Sequence, residues 1–261
     1  MTNDQKSVLL GSTNGSTAGR NGRPPAFSDP KVPGGLFTRV QSDTEITALI
    51  KLANEHLGAI GYTEHGLRHS NRVATYAGML LRVLEHPERE VDLAMTAGYL
   101  HDIGNFIGRT NHGQTGAAML YSLLQRFELP PRELGLVLSA VGNHEEQYGQ
   151  VLNNVCAAVV IGDKSDVHRT RVRNYDPLHH DIHDQVNYAV TKCALWVDED
   201  DTAQQEAVTG RQIHLELEID TAIATVMDYF QIFLSRMEMC RGAAQYLGCS
   251  FKIEINDTQL S

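Results

Sequence analysis

His101 and Asp102 are adjacent in the run LHDIG, and an imidazole beside a carboxylate can bind a metal ion. On a helix, neighbouring side chains project about 100° apart, so both reach one ion only where the helix end faces a cavity. Other groups of the same kind punctuate the chain: His69 in HSNRVATYA, His112 in NHGQTGAAML, His144 in VGNHEEQYG and Asp163 in VVIGDKSDVHR. Each falls at the end of an expected helix or in a loop beside one, where several helices can bring side chains together. Imidazole and carboxylate suit zinc, iron, nickel or manganese, and magnesium where oxygen dominates, so the donor set does not select one metal. A divalent metal lowers the pKa of a bound water from about 16 toward about 7, which is hydrolytic chemistry near neutral pH.

The elements that must position these groups read as helices over most of the chain. Residues 1–35 are rich in Gly, Ser, Thr, Asn and Pro and read as a disordered tail, with order beginning near Leu36. Ser42 or Asp43 can cap a helix with Ile46, Leu49, Ile50, Ala53 and Leu57 on one face, ending by Gly61. A second helix is expected from about Gly66 to Leu84. A third begins after Pro87, carries His101 and Asp102 at its end and is stopped by Gly104. Further helices are expected at 113–127, 131–142, 152–168 and 182–191. The pattern then alternates in period two, through Cys193, Leu195 and Val197 and again through Ile213, Leu215, Leu217 and Ile219. A long helix follows, with Ala222, Ile223, Val226, Met227, Phe230, Leu234, Met237, Ala244 and Leu247 assigned to its apolar face. Phe251, Ile253 and Ile255 close as a strand. The fold class is therefore mainly α: a helical bundle over 36–191, then a small α+β unit over 192–261 in strand-strand-helix-strand order, expected as a short antiparallel sheet.

Taken together, H-x-x-R-V-A at His69, L-H-D-I-G at His101 and a hydrophobic helix ending in Asp-Lys at Asp163 resemble the signature of the HD superfamily of metal-dependent phosphohydrolases. The resemblance covers about residues 45–170. It implies an HD-type helical bundle in which His69, His101, Asp102 and Asp163 bind one metal, with His101 and Asp102 at the catalytic centre. His112 and His144 resemble the extra histidines of members with dinuclear sites, in which the aspartate of the pair bridges two ions; Gly116 and Ala117 after His112 fit that subset. Two divalent ions per chain, drawn from Fe, Mn, Zn, Ni or Mg, are the implied cofactors. The chain lacks the Gly-Tyr-Pro element of the cyclic-dinucleotide phosphodiesterases and has Asn105 where they carry lysine. Both departures point away from cyclic di-GMP and from a third metal.

Lys164, Arg169, Arg171 and Arg173 form a basic cluster after Asp163, and Lys164 and Arg171 are the candidate substrate-binding residues for a phosphorylated small molecule, a nucleotide first. A solvated face paired with acids is the competing reading. His65, one turn before His69, and the run His179, His180, His183 read as structural or surface histidines, Glu145 as a solvated carboxylate, and Arg72 as the partner of an acid within the bundle. Two other functions fit the same ligands: oxygen activation at a diiron site, and a regulatory module that binds a nucleotide without turnover. A net charge of −10 argues against polymeric nucleic acid and anionic membrane as partners. Four scattered cysteines without a Cys-x-x-Cys pair, no membrane-length apolar run and no signal-peptide pattern make a cytoplasmic location the expectation. The C-terminal unit leaves a homodimer or small-molecule sensing open.

Overall fold

The structure is a computed structural model that describes residues 8–12, 34–173, 182–199 and 210–259. In chain order its elements are β1 (Val8–Ser12), α1 (Leu36–Gln41), α2 (Thr44–Ala59), α3 (Leu67–Val83), α4 (Glu88–Leu100), α5 (His112–Leu123), α6 (Pro131–Gly142), α7 (Asn154–Lys164), α8 (Ile182–Ala189), β2 (Val190–Glu199), β3 (Arg211–Ile219), α9 (Val226–Tyr246), β4 (Ser250–Ile255) and β5 (Thr258–Gln259). They fall into two compact units, Asp29–Asp166 and Met1–Ser28 with Val167–Ser261. The division falls before α8, so that helix groups with the sheet rather than with the bundle that the sequence extended to residue 191. Among the described residues, no helix is long and apolar enough to cross a membrane.

In the helical unit, α3 packs on α4 and α7, α4 also meets α6 and α7, and α5 lies on α6. The helices begin where local chemistry satisfies their free N–H groups. Asp43 caps α2, its Oδ1 accepting from Glu45 N and Ile46 N at 3.0 Å each. The short helix α1, which the sequence reading does not separate, is capped from a distance: Asp92 on α4 accepts from Leu36 N at 2.8 Å and Phe37 N at 2.9 Å. Val73, Leu80, Met95, Leu100, Val137 and Val160 lie in the core, all but sealed from solvent.

The second unit holds a sheet in the order β1-β2-β3-β4-β5 among the described residues. The period-two alternation aligns its core rows: Cys193 faces Leu217, Leu195 faces Leu215, and Val197 faces Ile213. The same rows continue to Phe251, Ile253 and Ile255 on β4. Three expectations need correcting. β3 and β4 are parallel rather than antiparallel, because a helix joining two adjacent strands carries the chain back to the starting edge. Val8–Ser12 departs from the expected disordered tail: it pairs antiparallel with β2, where a short apolar run can cover an edge that would otherwise be unpaired. Finally, α9 buries Tyr229, Phe233, Cys240 and Ala243 beside the expected Met237 and Ala244, and Leu247 after it is buried as expected, while Met227 and Leu234 are exposed. The buried stripe follows the i, i+4, i+8 and i+11 positions of a helix face, and the larger aromatics win the core.

Candidate metal centre

Five helices deliver the candidate ligands from their ends. His69 is in the first turn of α3; His101 caps α4 and Asp102 follows it; His112 opens α5; His144 lies just beyond α6; Asp163 is in the last turn of α7. The chain between Asp102 and His112 is tightly routed. A 3-10 turn spans Ile103–Phe106, and Asn111 then adopts a left-handed φ of 54° before α5 begins, a conformation that asparagine tolerates. Gly104 does not act as a helix stop: a Cβ there would lie 2.1 Å from His112 O and 2.6 Å from Gly116 N. It is glycine because α5 presses against the 3-10 turn at this point.

The side chains converge in two sets that meet at Asp102. Its Oδ2 lies 3.3 Å from His101 Nε2 and 3.6 Å from His69 Nε2. Asp163 Oδ1 completes that side, 3.3 Å from His69 Nε2 and 3.6 Å from His101 Nε2. The other oxygen, Oδ1, lies 3.0 Å from His112 Nε2 and 3.7 Å from His144 Nε2. The four histidines and Asp102 are buried. Two groups have donor atoms all within 4.8 Å of one another: His69, His101 and Asp163, and His101, Asp102 and His144.

Each imidazole is oriented by its outer nitrogen. Nδ1 of His69 donates to Asp166 Oδ2 at 2.7 Å, that of His101 to Gly98 O at 2.8 Å, and that of His144 to Val141 O at 2.7 Å. His112 Nδ1 is 3.0 Å from both Arg109 O and Glu145 Oε2. A carbonyl can only accept, so the Nδ1 proton is fixed and the Nε2 lone pairs of neutral rings turn inward. Two such pairs are close, His69 with His101 at 3.2 Å and His112 with His144 at 3.0 Å. Asp102 Oδ2 is buried and accepts no hydrogen bond. Facing lone pairs and an unsatisfied buried carboxylate oxygen call for cations, and protons or metal ions must supply them.

The electrostatics of the metal-free cluster express the same need. Burial alone would depress His101, but the Asp102 and Asp163 carboxylates prevail and raise it to about 10. Burial, aided by the positive charge of His101, His112 and Lys164, drives His144 down to about 4. Both aspartates are held well below the usual carboxylate range despite their burial, Asp102 chiefly by His101 and Asp163 chiefly by Lys164.

Asp166 and Glu145 meet the candidate ligands although the sequence assigned neither to them. Asp166 accepts from His69 and also from Arg68 Nη2 at 2.9 Å, and lies 3.1 Å from Arg72 Nε, so Arg72 has the acidic partner expected of it. Glu145 is not a solvated carboxylate. It accepts from Gly113 N at 2.8 Å, and although burial opposes it, contact with His112 pushes it down to about 2. Lys164 is buried, with Nζ 2.7 Å from Asp163 Oδ2 and 3.1 Å from Glu146 Oε1. Arg171 is buried in a 3-10 turn of the other compact unit, Arg169 stacks on Tyr188 there, and Arg173 is exposed. His65 stacks edge-on with His69 at 5.4 Å while its Nδ1 donates to Thr63 O. His183 is exposed on α8, and His179 and His180 lie outside the described residues.

A search of curated proteins returns no match to this sequence. The HD domain family, by contrast, matches it over residues 66–231, more than half of the chain and a span that includes every candidate ligand. With the family's His-Asp pair buried among further histidines and aspartate in a helical bundle, this chain belongs to the HD domain family, within the superfamily of metal-dependent hydrolases.

Proposed function

We propose that the protein is a phosphohydrolase that uses two divalent ions to cleave a phosphoester or phosphoanhydride, with a nucleotide as the leading substrate class. The observation that carries this reading is the division of labour at Asp102, whose Oδ2 faces His69, His101 and Asp163 while Oδ1 faces His112 and His144. A carboxylate shared in this way fits a two-ion reading, in which His69, His101 and Asp163 would hold one ion and His112 and His144 the other. Bound divalent ions would supply acidified water and charge neutralisation at the phosphoryl group. The chain's own part is to fix the ligand geometry: Asp166, Gly98 O, Val141 O and Glu145 lock the imidazoles. Lys164 balances the charge of Asp163 from the side. Lys164, the sequence-expected phosphate contact that lies in the same compact unit as the ligands, is the proposed contact to substrate phosphate, and Lys164→Ala raises KM for a nucleotide.

Metal analysis of anaerobically purified protein, combined with a panel of nucleotides and generic phosphoesters, tests the proposal. Wild type should hold about two metals per chain, His144→Ala about one with severely reduced turnover, and Asp102→Ala almost none, since both positions share that carboxylate. A wild type that never exceeds one metal per chain, with His144→Ala fully active, removes the second ion. Oxygen consumption with mixed-valent iron and no phosphoester cleavage would replace hydrolysis by oxygenation.

A further inference from the structure

Arg109 stands against the candidate metal centre. It is half-buried, in the loop between the 3-10 turn and α5. Its Nη1 lies 3.3 Å from His112 Nε2, the nitrogen that faces Asp102 Oδ1, and 3.3 Å from Asn105 Oδ1. The guanidinium stacks on Tyr62, with Cζ 5.2 Å from the ring centroid, and Tyr62 is itself exposed. Arg109 makes no ion pair with a carboxylate among the described residues, whereas Arg68 and Arg72 at the same centre are both tied to Asp166. It is therefore a cation beside the ligands that no carboxylate pairs among the described residues.

Its position is held by neighbours rather than by chance. Asn105 is buried and donates through Nδ2 to Asp102 O and Oδ1, both at 2.9 Å. That leaves the amide oxygen to accept from Arg109. The same amide thus registers the arginine against the shared carboxylate, while Tyr62 supports the flat face of the guanidinium. The contact with His112 Nε2 uses a lone pair that a metal ligand must give up. Once that lone pair is engaged, the Nη1 proton needs another acceptor close by. A guanidinium beside a metal cluster takes an oxyanion in that position, because its planar donors match two oxygens of a phosphate at once.

We infer that Arg109 is an oxyanion-binding arm at the His112–His144 side of the centre, holding the non-leaving oxygens of the phosphoryl group that is to be cleaved. This rests on the two-metal phosphohydrolase reading above and adds to it the residue that recognises the reacting group. Neither the HD pair nor the basic cluster at 164–173 points to this residue, which lies in the loop between two ligands. The ligand class is a tetrahedral oxyanion, with inorganic phosphate its simplest representative.

The test is calorimetric titration of metal-loaded full-length protein with inorganic phosphate, alongside metal analysis by mass spectrometry. Wild type should bind phosphate, and Arg109→Ala should bind it roughly tenfold or more weakly with the same metal content, the loss expected for a hydrogen bond to a charged group. Arg109→Lys should recover only part of the affinity, since it restores charge without the fork. Should Arg109→Ala fail to fold, Arg109→Gln keeps the stem over Tyr62 and is read in the same way. Phosphate affinity unchanged in the variants, or a wild type that takes up no phosphate, overturns the arm. Loss of metal from Arg109→Ala also overturns it, because the arginine would then be supporting the ligands. The two readings separate in the hydrolysis panel. Arg109-dependent phosphate binding without turnover of any phosphoester leaves the arm standing and removes the hydrolase; turnover with Arg109-independent phosphate binding does the reverse.

Discussion

At the scale of the residue, the centre is a set of imidazoles whose inner nitrogens are aimed by what their outer nitrogens touch. The candidate ligands were legible in the sequence because paired histidine and aspartate at helix ends are chemically conspicuous even before any fold is known. Their supports were not legible. Asp166 lies only three residues beyond Asp163, yet nothing local says that its carboxylate turns back to His69 Nδ1 at 2.7 Å. Glu145 reads as surface until α5 brings Gly113 N within 2.8 Å of it. Both depend on helices far apart in the chain. Asp166 should therefore tune the metal without touching it. Replacing Asp166 by Asn weakens the acceptor for His69 and leaves Arg68 and Arg72 without their counter-charge. Loss of such a partner costs about 10–100-fold in metal affinity, measurable by competition with a chelator. Undiminished affinity in a folded Asp166→Asn protein would leave the residue as a structural anchor for the two arginines alone.

At the scale of the element, the site exists because helix termini meet, and the clearance between them is small. Helix positions followed from capping residues and apolar spacing, so α2, α3, α6 and α7 match the expected helices to within a few residues. Strand direction did not follow, because period-two alternation says which face is buried and not which way a neighbour runs. Gly104 shows what close approach demands. Its backbone admits a side chain by conformation, but His112 O lies where a Cβ would go. Gly104→Ala should push α5 off the 3-10 turn, destabilise the fold by about 1–3 kcal/mol as overpacking does, and carry His112 out of line with Asp102. Gly135, exposed in the middle of α6 with nothing near its Cβ position, is the matched control. Alanine there should stabilise by about 0.5–1 kcal/mol through the lower entropy of the unfolded chain. Thermal unfolding and metal content of the two variants should move in opposite directions for stability, and only Gly104→Ala should lose metal. Equal behaviour of the two would mean that α5 accommodates the methyl group and that the approach is not limiting.

At the scale of the whole molecule, all the candidate ligands and the groups that orient them come from the unit Asp29–Asp166, while the sheet, α8 and α9 belong to the other. The composition of the first 35 residues could not reveal β1, since five residues of VLLGS are diluted by the Gly, Ser and Asn around them. Nor could net charge locate function: the chain carries −10, yet Arg68, Arg72 and Lys164 gather around the aspartates of the candidate metal centre. The separation of ligands from sheet leads to a test of how far the two units depend on each other. Phe233 is buried on α9 and packs edge-on against Tyr229 at 5.2 Å, so Phe233→Ala should cost about 3–5 kcal/mol in that unit. If the units unfold separately, calorimetry of the variant should show one transition moved to lower temperature and a second unmoved. Chelator-resistant metal would stay in the protein until the second transition. A single transition shifted as a whole, with metal released at its midpoint, would instead show that the sheet unit is part of what keeps the ligands in place, and the C-terminal unit would then have to be counted as a support of the metal centre.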